Sequence, residues 1–139
     1  MSSDDEVRAV SDRFYRALSA LDIDQLPEVW SQSADVTTMH PMGGEEVGWQ
    51  EVRRSFEQAA GAMTDVHVEF DRATLVAGDD LAYETGRERG RGKIAGEQIE
   101  FEQRVTNVYR REGGRWKMIH HHTDISPQMV DVLTRRQAA

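Results

Sequence analysis

The second half of the chain is dominated by alternation. In TDVHVEFDRATLVA, DLAYETGRER, QIEFEQRVTNVYRRE and RWKMIHHHTDIS, which run from Thr64 to Ser126, Val, Ile, Phe, Tyr and Thr recur in alternating patterns. A period of two sends successive side chains to opposite faces of a strand, so one face of each segment can be buried while the other is not. The segments are separated by AGDD, GKIAGE and EGGR, which are turn formers. Links this short join neighbouring strands as antiparallel hairpins, because a parallel crossover needs a dozen residues or more.

The first half reads differently. Val7, Val10, Phe14, Ala17, Leu18 and Leu21 recur at intervals of three and four, which is one face of a helix. Ser3 and Glu6 have the spacing of a capping box at its start. Asp24 is placed to cap a short second helix holding Leu26, Val29 and Trp30, with Pro27 tolerated in its first turn. Ala34 to His40 reads as a strand, PMGGEEVG as a loop, and Gln50 to Gly61 as a third helix burying Val52, Phe56, Ala59 and Ala60. Helices first and an antiparallel meander after predict an α+β domain. One sheet face should pack on the helices. The other also carries large apolar groups and is expected to be covered, most simply by a second copy of the chain.

The 139 residues fit a single domain, 1–139, and 38% apolar residues suffice for one core. No cysteine occurs, which removes disulfides, thiolate chemistry and Cys-based zinc sites. No apolar run is long enough to span a bilayer, and MSSDDEVRAV does not read as a secretory signal, so a cytoplasmic location is expected. A net charge of -8 argues against nucleic acid. In GRERGRGK, Arg87, Arg89, Arg91 and Lys93 alternate and would share one strand face, either as a solvated hairpin end or as a contact for an anion or polar ligand.

Three consecutive histidines sit inside the last strand. Alternation puts His120 and His122 with Trp116, Met118 and Asp124, and His121 with Ile119, Thr123 and Ile125; a bulge would reverse this locally. Two histidines at i and i+2 could ligate a metal with His40 or Glu84, act in acid–base chemistry, or bond within the sheet. Arg104 belongs to a stretch that otherwise reads as a central strand. On an inward face it would need a partner, which Glu84 on the neighbouring strand could supply.

Three stretches carry a resemblance: YRALSALDIDQLPEVW, MHPMGGEEVGWQEVRRSF and RVTNVYRREGGRWKMIHHHTDISP. Their order resembles the nuclear transport factor 2-like superfamily, which includes the SnoaL-like polyketide cyclases and ketosteroid isomerases, and the last stretch also resembles the association domain of calcium/calmodulin-dependent protein kinase II. The resemblance implies a cone-shaped, curved antiparallel sheet wrapped around three N-terminal helices, with a pocket open at one end and a homodimer joined through the sheet. It implies a small, largely apolar ligand and no cofactor or metal, in an isomerase, dehydratase, cyclase or hydrolase, or else in a non-catalytic binding or assembly module.

Against the isomerase pattern, Tyr15 falls at the oxyanion tyrosine, His40 takes the place of the base before Pro41, and Thr106 aligns with the second oxyanion donor. The resemblance further implies His120 and His122 as the recurring histidine pair. Arg104, Glu84 and Asp124 are candidate ligand-orienting groups, and Trp30, Met39, Trp49 and Phe56 candidate pocket walls.

Overall fold

The computed structural model of the protein describes residues 2–138. Helix α1 spans Ser3–Ala20 and opens with Asp4, Asp5 and Glu6, acidic residues suited to the positive end of a helix. Its cap is Ser2, one residue earlier than the sequence suggests: the Ser2 hydroxyl accepts the Asp5 N–H at 3.2 Å. The helix ends on Leu21, whose φ of 53° turns the chain so that the Leu21 and Asp22 N–H groups bond back to Leu18 and Ala17. A 3-10 turn, Ile23–Gln25, runs straight into the short helix α2, Leu26–Val29. Asp24 therefore lies inside that turn and caps nothing.

Strand β1 (Thr37–His40) hairpins into β2 (Gly43–Val47), so most of the segment read as a loop is an edge strand. Gly43 and Gly44, the first residues of β2 after the turn at Pro41 and Met42, take φ of 100° and 87°. Helix α3 (Trp49–Ala62) follows, then β3 (Met63–Ala77), β4 (Leu81–Ile94), β5 (Glu97–Glu112) and β6 (Arg115–Thr123), and finally α4 (Pro127–Ala138). The four long strands form the expected meander, and β1 adds beside β6 in parallel, giving the order β2-β1-β6-β5-β4-β3. Strand β4 runs to Ile94 because the turn after it needs only Ala95 and Gly96, both at positive φ.

The six strands curve around α1 and α3. Phe14, Trp30, Val36, Val52, Phe56, Tyr109 and Met118 pack in the main core between them. A second cluster, Met63, Ile94, Ile99 and Phe101, is closed by Met129 and Val132 of α4, so this C-terminal helix covers the far end of the sheet. Tight curvature at β3 and β4 depends on small residues. A Cβ on Gly86 would fall 2.2 Å from the Asp71 carbonyl, and one on Gly90 would fall 2.4 Å from the Phe101 ring and 2.5 Å from the His67 carbonyl. Strand β3 is also bulged on either side of this region, between Thr64 and His67 and between Arg72 and Thr74.

The convex outer face carries alternating charges together with Val76, Leu81 and Tyr83, which are 47, 57 and 43% exposed. Among the described residues no helix is long and apolar enough to cross a membrane.

Because backbone cannot retreat from a new methyl group, Gly90→Ala is expected to destabilise the fold by about 1–3 kcal/mol in urea unfolding. Gly61→Ala, in α3 where nothing lies within 4 Å of the new Cβ, should instead stabilise it by about 0.5–1 kcal/mol. Equal effects at the two sites would mean that close packing of β3 on β4 does not limit the sheet.

Candidate functional site

The interior polar groups start from Glu84, whose carboxylate has no exposure to water. On one oxygen it accepts from the Ser11 hydroxyl at 2.8 Å, from Asn107 Nδ2 at 2.9 Å and from the Tyr109 hydroxyl. On the other it accepts from Arg72 Nε at 3.0 Å. Such a set is what keeps a buried carboxylate charged.

Asn107 stands opposite Glu84 on β5 and opposite His121 on β6, so three strands put these side chains in one row. Its amide nitrogen donates to Glu84 and, at 3.1 Å, to the Tyr15 hydroxyl oxygen. That orientation leaves the amide oxygen facing His121 Nδ1 at 2.6 Å. Nδ1 therefore carries the hydrogen, and Nε2 of the neutral ring carries a lone pair. Burial, reinforced by His40, His120 and His122, pushes the His121 pKa well below its ordinary value, so the ring is neutral.

Glu88 lies one strand turn further along β4, only 3% exposed. Tyr15 donates to its Oε2 at 2.7 Å and Gln103 Nε2 to its Oε1 at 3.0 Å, while His121 Nε2 sits 3.7 Å from Oε2. Unlike Glu84, it is paired with no Lys or Arg among the described residues. Burial, with the Glu84 charge adding, raises its pKa to about 6 against the two hydrogen bonds that favour the ionised form. Burial likewise holds the Tyr15 phenol well above its usual value, with the Glu88 charge next in size.

His40 closes the same region from the end of β1. Its Nε2 is 2.7 Å from the Ser55 hydroxyl, which itself donates to the Val52 carbonyl at 2.6 Å; Nε2 thus holds the hydrogen. Phe56 stands edge-on to the ring at 4.7 Å. Burial lowers the His40 pKa to about 4.

These groups border a cavity of about 90 Å3 between α1, α3, the curved sheet and α4. Its wall is apolar, with Leu18, Leu21, Leu26, Met63, Val68 and Met129 prominent, and Glu88, Gln103, His40 and His121 face it from one side. Asp22 stands among the lining groups, and among the described residues none of them is a Lys or Arg.

Of the residues singled out from sequence, Tyr15, His40 and Phe56 come together here, Phe56 and His40 in the lining and Tyr15 through Glu88. Glu84 sits beneath the cavity with Arg72 as its partner, not Arg104. Arg104 is the clearest correction. Its side chain is 74% exposed on the outer face, where it forks onto Asp124 at 2.8 and 3.1 Å. An unpaired charge is avoided by facing water. Thr106 and His122 share that face, and His120 bonds Thr37 there at 2.6 Å. The reason is a bulge in β6. Val108 pairs with His120 but Tyr109 pairs with Met118, so Ile119 is the extra residue and the strand changes face. Trp116 and Met118 point inward, and so does His121. Trp30 is fully buried core, Trp49 packs on it at 6.5 Å, and Met39 pairs alongside His122; none of the three lines the cavity. Among the described residues no three His, Asp or Glu side chains assemble as a metal site.

Sequence reasoning missed Glu88, Gln103, Asn107 and His121. A signal for Glu88 was present: the face opposite the GRERGRGK cations carries Gly86, Glu88, Gly90 and Gly92, a lone carboxylate among glycines.

The depressed His40 pKa has a consequence for stability. The unfolded chain takes up its proton near pH 6.5 and the folded chain only near 4. Stability from His40 is thus full above pH 6.5 and falls as pH drops toward 4, by up to about 3 kcal/mol. Glu88 acts oppositely between about 6 and 4.5, since its folded form binds the proton more tightly. Urea unfolding of His40→Asn should show a shallower acid loss over this range than the natural chain. Parallel pH profiles would mean that His40 is not buried neutral.

The profile of the SnoaL-like domain family matches residues 7–127. No curated protein sequence matches the chain significantly. Among solved structures, a proposed calcium/calmodulin-dependent protein kinase type II association domain from Thiobacillus denitrificans is 25% identical, with a TM-score of 0.73 over 86% of this chain and 94% of that one. A nuclear transport factor 2-like superfamily protein from Salmonella enterica is 16% identical, with a TM-score of 0.80 over 87% of this chain and 89% of the other. A proposed dehydratase of the same fold family from Streptomyces avermitilis is 22% identical, with a TM-score of 0.76 over 88% and 95%. With the curved sheet, the helices and the interior cavity in place, the chain belongs to the SnoaL-like domain family, and it shares its fold with nuclear transport factor 2-like structures.

Proposed function

We propose that the protein is a cofactor-free enzyme that moves a proton on a small, largely apolar molecule bound in the interior cavity, in an elimination or isomerisation. The observation that carries this is Glu88: a buried carboxyl bordering an apolar space, with no cation beside it and a pKa raised to about 6. A group titrating there is ionised enough at neutral pH to accept a proton and acidic enough to return it. Tyr15 and Gln103 hold the carboxyl by its two oxygens, and His121 offers a neutral nitrogen lone pair 3.7 Å away as a second proton acceptor. The steroid-isomerase arrangement is not the one favoured. Tyr15 spends its hydrogen on Glu88, and Thr106 lies on the opposite face of the sheet, so neither is left to donate to an oxyanion.

A second proposal concerns assembly. The kinship with the Thiobacillus association domain, and the outer-face group Val76, Leu81 and Tyr83, support a homodimer joined through the sheet. Tyr83 stands directly opposite Val76 and Val108 in the ladder, so the apolar group is continuous. The surrounding charges alternate in sign, with Arg89 against Asp71 and Glu102, and Arg104 against Asp124. A surface of that kind can meet a copy of itself.

Two measurements test these readings. Carbon-detected NMR should give Glu88 a titration midpoint near 6, and Glu88→Gln should lower turnover of any cavity-bound substrate by about 100-fold or more, with Tyr15→Phe costing less. An ordinary carboxyl midpoint, or undiminished turnover in Glu88→Gln, would remove Glu88 from the chemistry and leave a binding module. Light scattering should show a dimer for the natural chain and a monomer for Leu81→Glu/Tyr83→Lys. A natural chain that stays monomeric at high concentration rules out the sheet interface.

A further inference from the structure

The polar groups turned toward the cavity are rich in open acceptors and poor in open donors. Gln103 is 3% exposed, and its amide nitrogen gives one of its two hydrogens to Glu88 Oε1. Its amide oxygen is left buried with no hydrogen-bond partner among the described residues. A buried carbonyl without a partner is costly, and one in the wall of a cavity is satisfied by whatever fills the cavity. His121 Nε2 carries a lone pair, because Asn107 has fixed the hydrogen on the other ring nitrogen. His40 has its hydrogen on Nε2, held by Ser55, which leaves Nδ1 as an acceptor too. Glu88, when ionised, accepts on both oxygens. Of the donors nearby, the Tyr15 hydroxyl is spent on Glu88 and the Asn107 amide on Glu84 and Tyr15, while Arg72, which gives Nε to Glu84 and keeps an unpartnered Nη2, lies outside the cavity lining.

From this we infer that the cavity selects ligands whose head group donates hydrogen bonds, a hydroxyl or an amine on an apolar body, and discriminates against head groups that only accept, such as ketones and carboxylates. The inference rests on the proposed function only in taking the cavity as the ligand site; it then names the class of molecule. Glu88 Oε2 and His121 Nε2 are 3.7 Å apart, close enough for two hydrogens of one amine head to reach both or for the single hydrogen of a hydroxyl to reach either, with the Gln103 carbonyl adjacent through Glu88. A carboxylate would sit against Glu88 with no Lys or Arg among the described lining residues to offset it. A ketone would leave the Gln103 oxygen and the His121 lone pair unpaired, the kind of loss by which a site built for a donor rejects an analogue lacking one.

The test uses one ring with four heads: cyclohexanol, cyclohexylamine, cyclohexanone and cyclohexanecarboxylate, titrated into the whole natural chain at about pH 7.5, well above the Glu88 midpoint, and followed by amide NMR shifts. Toluene serves as a body without a head. The alcohol, the amine or both should bind about tenfold or more tightly than the ketone, with the carboxylate weakest. An amine held by Glu88 should weaken as pH falls through about 6 and lose about tenfold in Glu88→Gln, whereas an alcohol should change by less than about threefold. The pH series needs no variant, so it stands if Glu88→Gln folds poorly. A ketone or carboxylate that binds as tightly as the alcohol and amine overturns the inference, and so does binding by toluene with all four heads tolerated equally or none bound. If none of the five enters the cavity, the proposed function falls with it.

Discussion

A carboxylate with no access to water can stay ionised in a fold only when donors enclose it, and Glu84 is enclosed from three directions. Ser11 reaches it from α1, Arg72 from β3, and Asn107 and Tyr109 from β5. The enclosure ties the first helix to the sheet and fixes how those side chains are turned. Because Asn107 gives its nitrogen to Glu84, its oxygen must face His121; because it also donates to Tyr15, that hydroxyl must point its hydrogen at Glu88. The protonation pattern around the cavity is thus set beneath it, by a group outside its lining.

The sheet makes this possible by curving. Inner-face glycines let β3 close over β4, and the same glycines flank Glu88, so its carboxyl stands in space that larger neighbours would have filled. At the other edge, β6 carries the extra residue Ile119. That bulge lets one strand bury Trp116 and Met118 in the helix-facing core and then turn His121 to the same side, although the residue numbers differ in parity.

Element types were legible in the sequence because they depend on local rules. Period two marked four long strands, three-four spacing marked α1 and α3, and short Gly-containing turns dictated antiparallel order. What escaped were features decided by pairing partners. The edge strand β2 looks like a loop until β1 lies beside it, and Gly43 to Val47 has no apolar period to reveal it. The histidine faces could not be read either, since a bulge is a relation between two strands and leaves no mark in one. Arg104 misled for a related reason: an arginine among Val and Tyr suggests a buried charge, yet its strand alternates, and water with Asp124 was the easier solution. Tyr15 and His40 were found through family likeness. Glu88 and Gln103 were legible in principle, once the alternating arginines beside Glu88 are taken to face outward.

Two glutamates four residues apart on one strand face have opposite fates. Glu84 has an arginine and three further donors; Glu88 has two donors, no cation and a histidine lone pair close by. Folding stability alone would favour a second cation or an apolar residue at position 88, since an uncompensated buried carboxyl costs more than either. The cavity opens at Glu88 and not at Glu84. The strand therefore neutralises the carboxyl that only the protein sees and leaves incompletely matched the one that a ligand can reach. Proton affinity raised by burial and acceptors lacking donors are two results of that same omission. A residue that the fold would be more stable without is best accounted for by something that enters the cavity and completes it.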